Sequence, residues 1–179
     1  DWPLVYDISA MDGTRFFCLC PNCDAIAREE GHSGLLLKAF INPIAETIAR
    51  EYPGLMIRTF AYSFAEKAPK TVRPAKNVII FYADLYLRAD YFRPITSEFN
   101  QEQLALFKGW KDIGARVYLW DYWNMGGPNY FYPPRIETCL DAIIEDIRFF
   151  TSQKIEGIMT EYGMDPLKPQ MFFALDNYV

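Results

Sequence analysis

Two hydrophobic periods share this chain. Near-continuous apolar runs at residues 4–13 (LVYDISAMDG), 55–63 (LMIRTFAYS), 77–86 (NVIIFYADLY), 116–123 (RVYLWDYW) and 155–163 (IEGIMTEYG) predict five strands. Between them the period lengthens. Residues 22–52 read as a long helical stretch, interrupted at GHSG (31–34) and by Pro43. Residues 100–114 repeat at helical spacing, with Asn100 suited to cap the helix and Gly114 to stop it. Pro133 and Pro134 open a further helix running to about residue 150, with Ile136, Leu140, Ile143, Ile144 and Ile147 as its apolar stripe. The closing MFFALDNYV reads as the start of another helix. The strands at 55–63 and 77–86 are joined by a polar, proline-containing loop, EKAPKTVRPAK, with no helical period.

Strands that alternate with helices and are apolar almost throughout belong to a parallel sheet covered by helices. The predicted class is α/β, a (β/α)8 TIM-barrel-like fold. A closed barrel has eight strands and typically about 250 residues, whereas this chain has 179. Residues 1–179 are therefore read as a single domain carrying the C-terminal five strands of an incomplete barrel. On that reading the first and last strands do not pair with each other, and their open edges offer a route to association. An open, doubly wound five-stranded sheet is the rival, but the Gly-rich phosphate turn that usually follows its first strand is absent.

Side chains alternate along a strand, so parity can be read directly. Val117, Leu119 and Asp121 share one face of their strand, and Ile155, Gly157, Met159 and Glu161 share one face of theirs. In each the acid comes last, and Asp12 similarly follows YDISAM; Asp84 is a weaker fourth. Strand ends of a barrel meet on the rim that carries active sites, so three acids distant in sequence are expected to converge there. Two carboxylates are the usual machinery of glycoside hydrolysis, one donating a proton to the leaving oxygen, the other attacking carbon or activating water. Aromatic neighbours such as Tyr118, Trp120, Tyr122 and Trp123 would raise a carboxyl pKa by desolvation and offer flat faces to sugar rings. A strand-end cap or an ion pair is the structural alternative for each acid. The loop MGGPN at 125–129 either lines the cleft or is an ordinary turn.

Composition narrows the partners. The net charge of −5, with no basic cluster to track phosphates, argues against nucleic acid. No run approaches the roughly 18 apolar residues of a membrane span, and no signal peptide is visible. Cys18, Cys20 and Cys23 fall in CLCPNC, with Cys139 far away. C-x-C-x2-C supplies three soft ligands where a structural zinc wants four, which His32 or Cys139 could complete. A disulfide such as Cys18–Cys23, or free thiols, are the alternatives. No motif here assigns a metal or a cofactor. A nucleophilic cysteine paired with His32, the single histidine, would need the two to meet across a loop.

The series DG…CLCPNCDAI…GHSGLLLKAFIN, IRTFAYSFAEKAPK, YLWDYWN and IEGIMTEYG resembles, over almost the whole chain, a family of bacterial carbohydrate-active proteins. That family was long catalogued as a domain of unknown function and placed in part as glycoside hydrolase family one-hundred-sixty-three. The resemblance implies a (β/α)8 catalytic domain and endo-acting β-N-acetylglucosaminidase activity on N-glycans. It also implies an oligosaccharide or glycoprotein partner and a secreted, periplasmic or cell-surface location. It aligns Asp12 with the acid after the strand that precedes the cysteines, Asp121 with that of W-D-Y, and Glu161 with that of the last strand. Glu161 is the preferred catalytic carboxylate, with Asp12 or Asp121 as the second; Tyr62, Trp120, Tyr122 and Asn124 are the implied substrate contacts. A non-catalytic carbohydrate-binding barrel is one alternative. An α-glucuronidase-like exo-enzyme is another, with Arg58, Arg88 and Arg93 as candidates for its basic subsite.

Overall fold

The computed structural model describes residues 4–10, 18–83, 92–122, 139–161 and 173–174. The chain is an α/β protein with five parallel strands and accompanying helices, in the manner of an incomplete TIM-like barrel. It divides into two compact units, Asp1–Tyr82 with Lys108–Val117, and Ala83–Phe107 with Tyr118–Val179.

In the first unit, β1 (Val5–Asp7), β2 (Met56–Ala61) and β3 (Val78–Ala83) lie in chain order and parallel. Register pairs Tyr6 with Ile57 and Asp7 with Arg58, then Ile57 with Val78 and Phe60 with Phe81. Every residue of β3 is buried, as suits a strand covered on both faces, whereas β2 alternates, burying Ile57, Thr59 and Ala61. Thr59 and Ile80, together with Phe60, line a small internal space with Ser33, Leu37, Ile41 and Trp110; the buried parity of β2, Ile57, Thr59 and Ala61, is the one set against the helices. Met56, Arg58, Phe60, Ile79 and Phe81 occupy the other.

The long helical stretch is α1 (Pro21–Leu36), a π turn (Leu37–Ile41) and α2 (Asn42–Glu51). Within GHSG the backbone kinks at Gly31, whose φ of 77° suits a residue without Cβ. Pro43 does not break the chain; it lies in the first turn of α2, directly after the π turn, and the backbone stays helical through Ile41 and Asn42. Beyond β2 and a 3-10 turn (Ser63–Ala65), the loop to β3 is held by side chains in place of a helix. The buried Glu30 carboxylate accepts from the Thr71 hydroxyl, from Thr71 N–H at 2.8 Å and from Val72 N–H at 3.2 Å. Those bonds hold its pKa down to about 2. Asn42 donates to Arg73 O at 2.8 Å and accepts from Ala75 N–H at 2.9 Å. Trp110 Nε1 donates to Glu66 O at 2.7 Å. An irregular connection can pack only if its backbone groups find such partners.

The second unit takes up β4 (Arg116–Tyr122) from Tyr118 on; this strand runs parallel to β5 (Ile158–Glu161), and β6 (Phe173–Ala174) adds antiparallel to β5. The closing apolar stretch, expected to start a helix, therefore contributes a strand; a short run without polar punctuation does not reveal its period. The helix α3 (Gln101–Asp112) is entered through a 3-10 turn (Glu98–Asn100). Asn100 is buried there and donates to Arg93 O and Pro94 O, a loop clasp where a cap was expected. Phe107 packs at ring distances of 5.9 and 5.2 Å on Phe149 and Phe150 of α4 (Leu140–Ser152). On α4 the buried residues are Ala142, Ile143 and Phe150, while Leu140, Ile144 and Ile147 are exposed, so the expected stripe is mostly not the packed one. Pro133, Pro134 and Ile136 lie outside the described residues.

Candidate functional site

β4 ends in alternating rings and a carboxylate because its two faces have different neighbours. Val117 and Leu119 are buried, and Asp121 shares their parity. Asp121 is half-buried, accepts from Tyr122 N–H at 2.7 Å, and lies close enough to Asp146 of α4 to repel its charge. Burial first, and then the charges of Asp121 and Glu145, push the Asp146 carboxyl up to about 7, although it accepts from Ile95 N–H at 2.7 Å. Tyr118, Trp120 and Tyr122, all half-buried, hold the other parity.

Parallel register pairs Leu119 with Ile158, Trp120 with Met159, Asp121 with Thr160 and Tyr122 with Glu161. Asp121 and Glu161 both close their strands at the C-terminal end, but one step out of register. By backbone register Glu161 pairs with Tyr122, whereas Asp121 pairs with Thr160 and lies on the α4 side. Close approach of the strands depends on Gly157, where a Cβ would sit 2.6 Å from the Tyr118 ring.

In the first unit, the parity turned away from the helices carries an ion pair and stacked rings. Arg58 Nε meets Asp7 Oδ2 at 2.6 Å, both about a third exposed, and the guanidinium stands 4.6 Å from the Phe81 ring centre. Phe81 stacks on Phe60 at 5.3 Å, and Tyr62 lies tilted against Phe60 at 6.3 Å. Arg58, a candidate for a uronate subsite, is thus engaged by Asp7 and Phe81; Arg93 stands 4.2 Å from the Phe99 ring centre.

Cys18, Cys20 and Cys23 gather at the start of α1, with their sulfurs within 4.8 Å of one another. First-turn N–H groups, that of Cys23 foremost, hold the Cys20 thiol below its ordinary pKa, and hydrogen bonding with Cys20 and Cys18 pushes Cys23 up to about 11. Cys139 is buried in the second unit.

Of the candidates read from sequence, Tyr62, Trp120, Asp121 and Tyr122 are described; Glu161 is placed by its backbone register. Asp12, Asp84, Arg88, Trp123, Asn124 and the MGGPN loop lie outside the described residues. Sequence reading missed Asp7 and Asp146. The parity of VYD could have flagged Asp7; nothing in IIEDI marks Asp146 as enclosed.

Residues 3–179 match the family described as Domain of unknown function (DUF4838). The chain belongs to that family. The match spans both units, so the two strand-end groups lie within one DUF4838 domain sequence. No curated protein and no solved structure matches it.

Proposed function

We propose that this DUF4838 chain is the hydrolytic part of a glycoside hydrolase, acting on β-linked N-acetylglucosamine-containing glycans such as N-glycans by two-carboxylate chemistry. This is the activity expected of members placed in glycoside hydrolase family one-hundred-sixty-three. One observation carries the reading: Glu161 closes a parallel strand in register with Tyr122, two residues beyond the Trp120–Met159 pair. A glutamate that ends a strand in register with an aromatic residue combines acid–base capacity with a surface for sugar faces.

Glu161 is assigned as one catalytic carboxylate. For the second, Asp12 is favoured over Asp121, because Asp121 is out of step with Glu161 and committed to the field of Asp146. Trp120, Tyr122, Tyr62 and Asn124 are assigned to substrate. A glycan of this class is met outside the cell, which supports a secreted, periplasmic or surface location.

The test is release of glycan from an N-glycoprotein by this protein. Glu161→Gln and Asp12→Asn should each lower kcat by ~10²–10⁴-fold, with melting temperatures unchanged, while Asp121→Asn should cost far less. Normal turnover by the Glu161 variant overturns the assignment. Oligosaccharide binding by the wild type without new reducing ends identifies a carbohydrate-binding barrel instead.

A further inference from the structure

Three thiols converge where a strand-to-helix connection ends. Cys20 immediately precedes α1 in extended backbone, φ −63° and ψ 154°, and Pro21 opens the first turn. One helical turn then returns Cys23 beside Cys20, and Cys18 folds over the same end, leaving all three sulfurs within 4.8 Å of one another. The first-turn N–H groups of α1 have no carbonyl partner inside the helix, and the trio gathers at that end. Cys18 and Cys20 are exposed and Cys23 half-buried, so an ion can reach them from solvent.

Three sulfurs gathered within 4.8 Å can close on one metal ion. Tetrahedral zinc with bonds of about 2.3 Å sets its sulfurs about 3.8 Å apart, a closure available to side-chain rotation alone. A disulfide would use two thiols and leave the third beside it. Three sulfurs with no carboxylate among them select zinc-class cations over magnesium or calcium.

We propose that Cys18, Cys20 and Cys23 form a three-thiolate site that binds one zinc-class divalent cation. The fourth position, which no residue of this trio supplies, is taken by water. Each thiol releases a proton to solvent as its sulfur–metal bond forms, so three protons leave for one dication. The assembly carries one net negative charge at the N-terminus of α1, where the helix dipole and the free N–H groups favour it. The site belongs to the chain irrespective of the sugar chemistry proposed above.

Cobalt(II), added to the reduced full chain without oxygen, is the probe. One equivalent should give a thiolate-to-metal charge-transfer band with tetrahedral d–d absorption, displaced by zinc, with close to three protons released per cobalt at pH 7. Cys18→Ser, Cys20→Ser and Cys23→Ser should each remove or strongly weaken the band, and Cys139→Ser should leave it intact. A wild-type chain that gives no band or releases fewer than two protons overturns the site. A band unchanged in any of the three variants does the same. Proton release is measured on the unmodified protein, so the conclusion survives a variant that fails to fold.

Discussion

Asp146 is ordinary in sequence and unusual in place. Its carboxyl is pushed up to about 7 by burial and then by Asp121 and Glu145, against a usual value near 3.8. In the folded chain it stays protonated where the unfolded chain has already ionised. Folding therefore takes up a proton between about pH 4 and pH 7, and stability falls as pH rises through that window, then levels off. Asp146→Asn keeps an oxygen able to accept from Ile95 N–H and removes the charge. The variant should match wild type near pH 4 and exceed it at pH 8 by on the order of 1 kcal/mol, the screened share of the shift. Urea unfolding across this range measures it, and parallel pH profiles for the two proteins would rule the account out. Asp121 could be singled out from sequence because it ends an aromatic strand. Its relation to Asp146 could not, since that depends on which face of α4 turns inward.

At the scale of elements, strand positions were legible and strand partners only partly so. Buried parallel strands announce themselves as unbroken apolar runs, and all five expected runs hold one. The α4 stripe and the final strand were missed for a shared reason. Helical spacing on α4 fits two adjacent faces, and tertiary contact with Phe107 chose the one bearing Phe150. Residues 173–174 pair with β5 through backbone bonds that no side-chain pattern records. Register likewise separated Asp121 from Glu161, because parity within each strand leaves the offset between strands open. Gly157 tests the β4–β5 contact. A methyl group there would lie 2.6 and 2.7 Å from two carbons of the Tyr118 ring, so the ring or the strand must shift. Gly157→Ala should destabilise by ~1–3 kcal/mol and alter near-ultraviolet dichroism. Adding Tyr118→Ala should recover part of that loss, since the two residues are in direct contact. Strictly additive losses would show that the ring does not sense position 157.

At the scale of the whole chain, the expected open edge can be tested at β1. This strand pairs with β2 through Val5, Tyr6 and Asp7, and it stands at the end of the strand order. Leu4 is 71% exposed, Val5 40% and Tyr6 38%. Beside them lies an apolar groove of about 730 Å³, lined also by Ile48, Tyr52, Pro53 and Leu55. A strand edge with free backbone groups and apolar side chains templates further pairing unless charge or cover blocks it. Asp7 does not serve as that charge, because Arg58 neutralises it at 2.6 Å. The chain should therefore associate as its concentration rises, with a mean mass by light scattering above that of the 179-residue monomer. Leu4→Lys sets a charge at the edge while keeping the position-4 carbonyl that accepts from Met56 N–H, and should restore the monomer with little change in melting temperature. A wild-type mass that stays monomeric up to high concentration would mean that β1 is covered in solution. Glycan-release assays belong at concentrations where β1 is unpaired, so that the carboxylate variants report on chemistry and not on assembly.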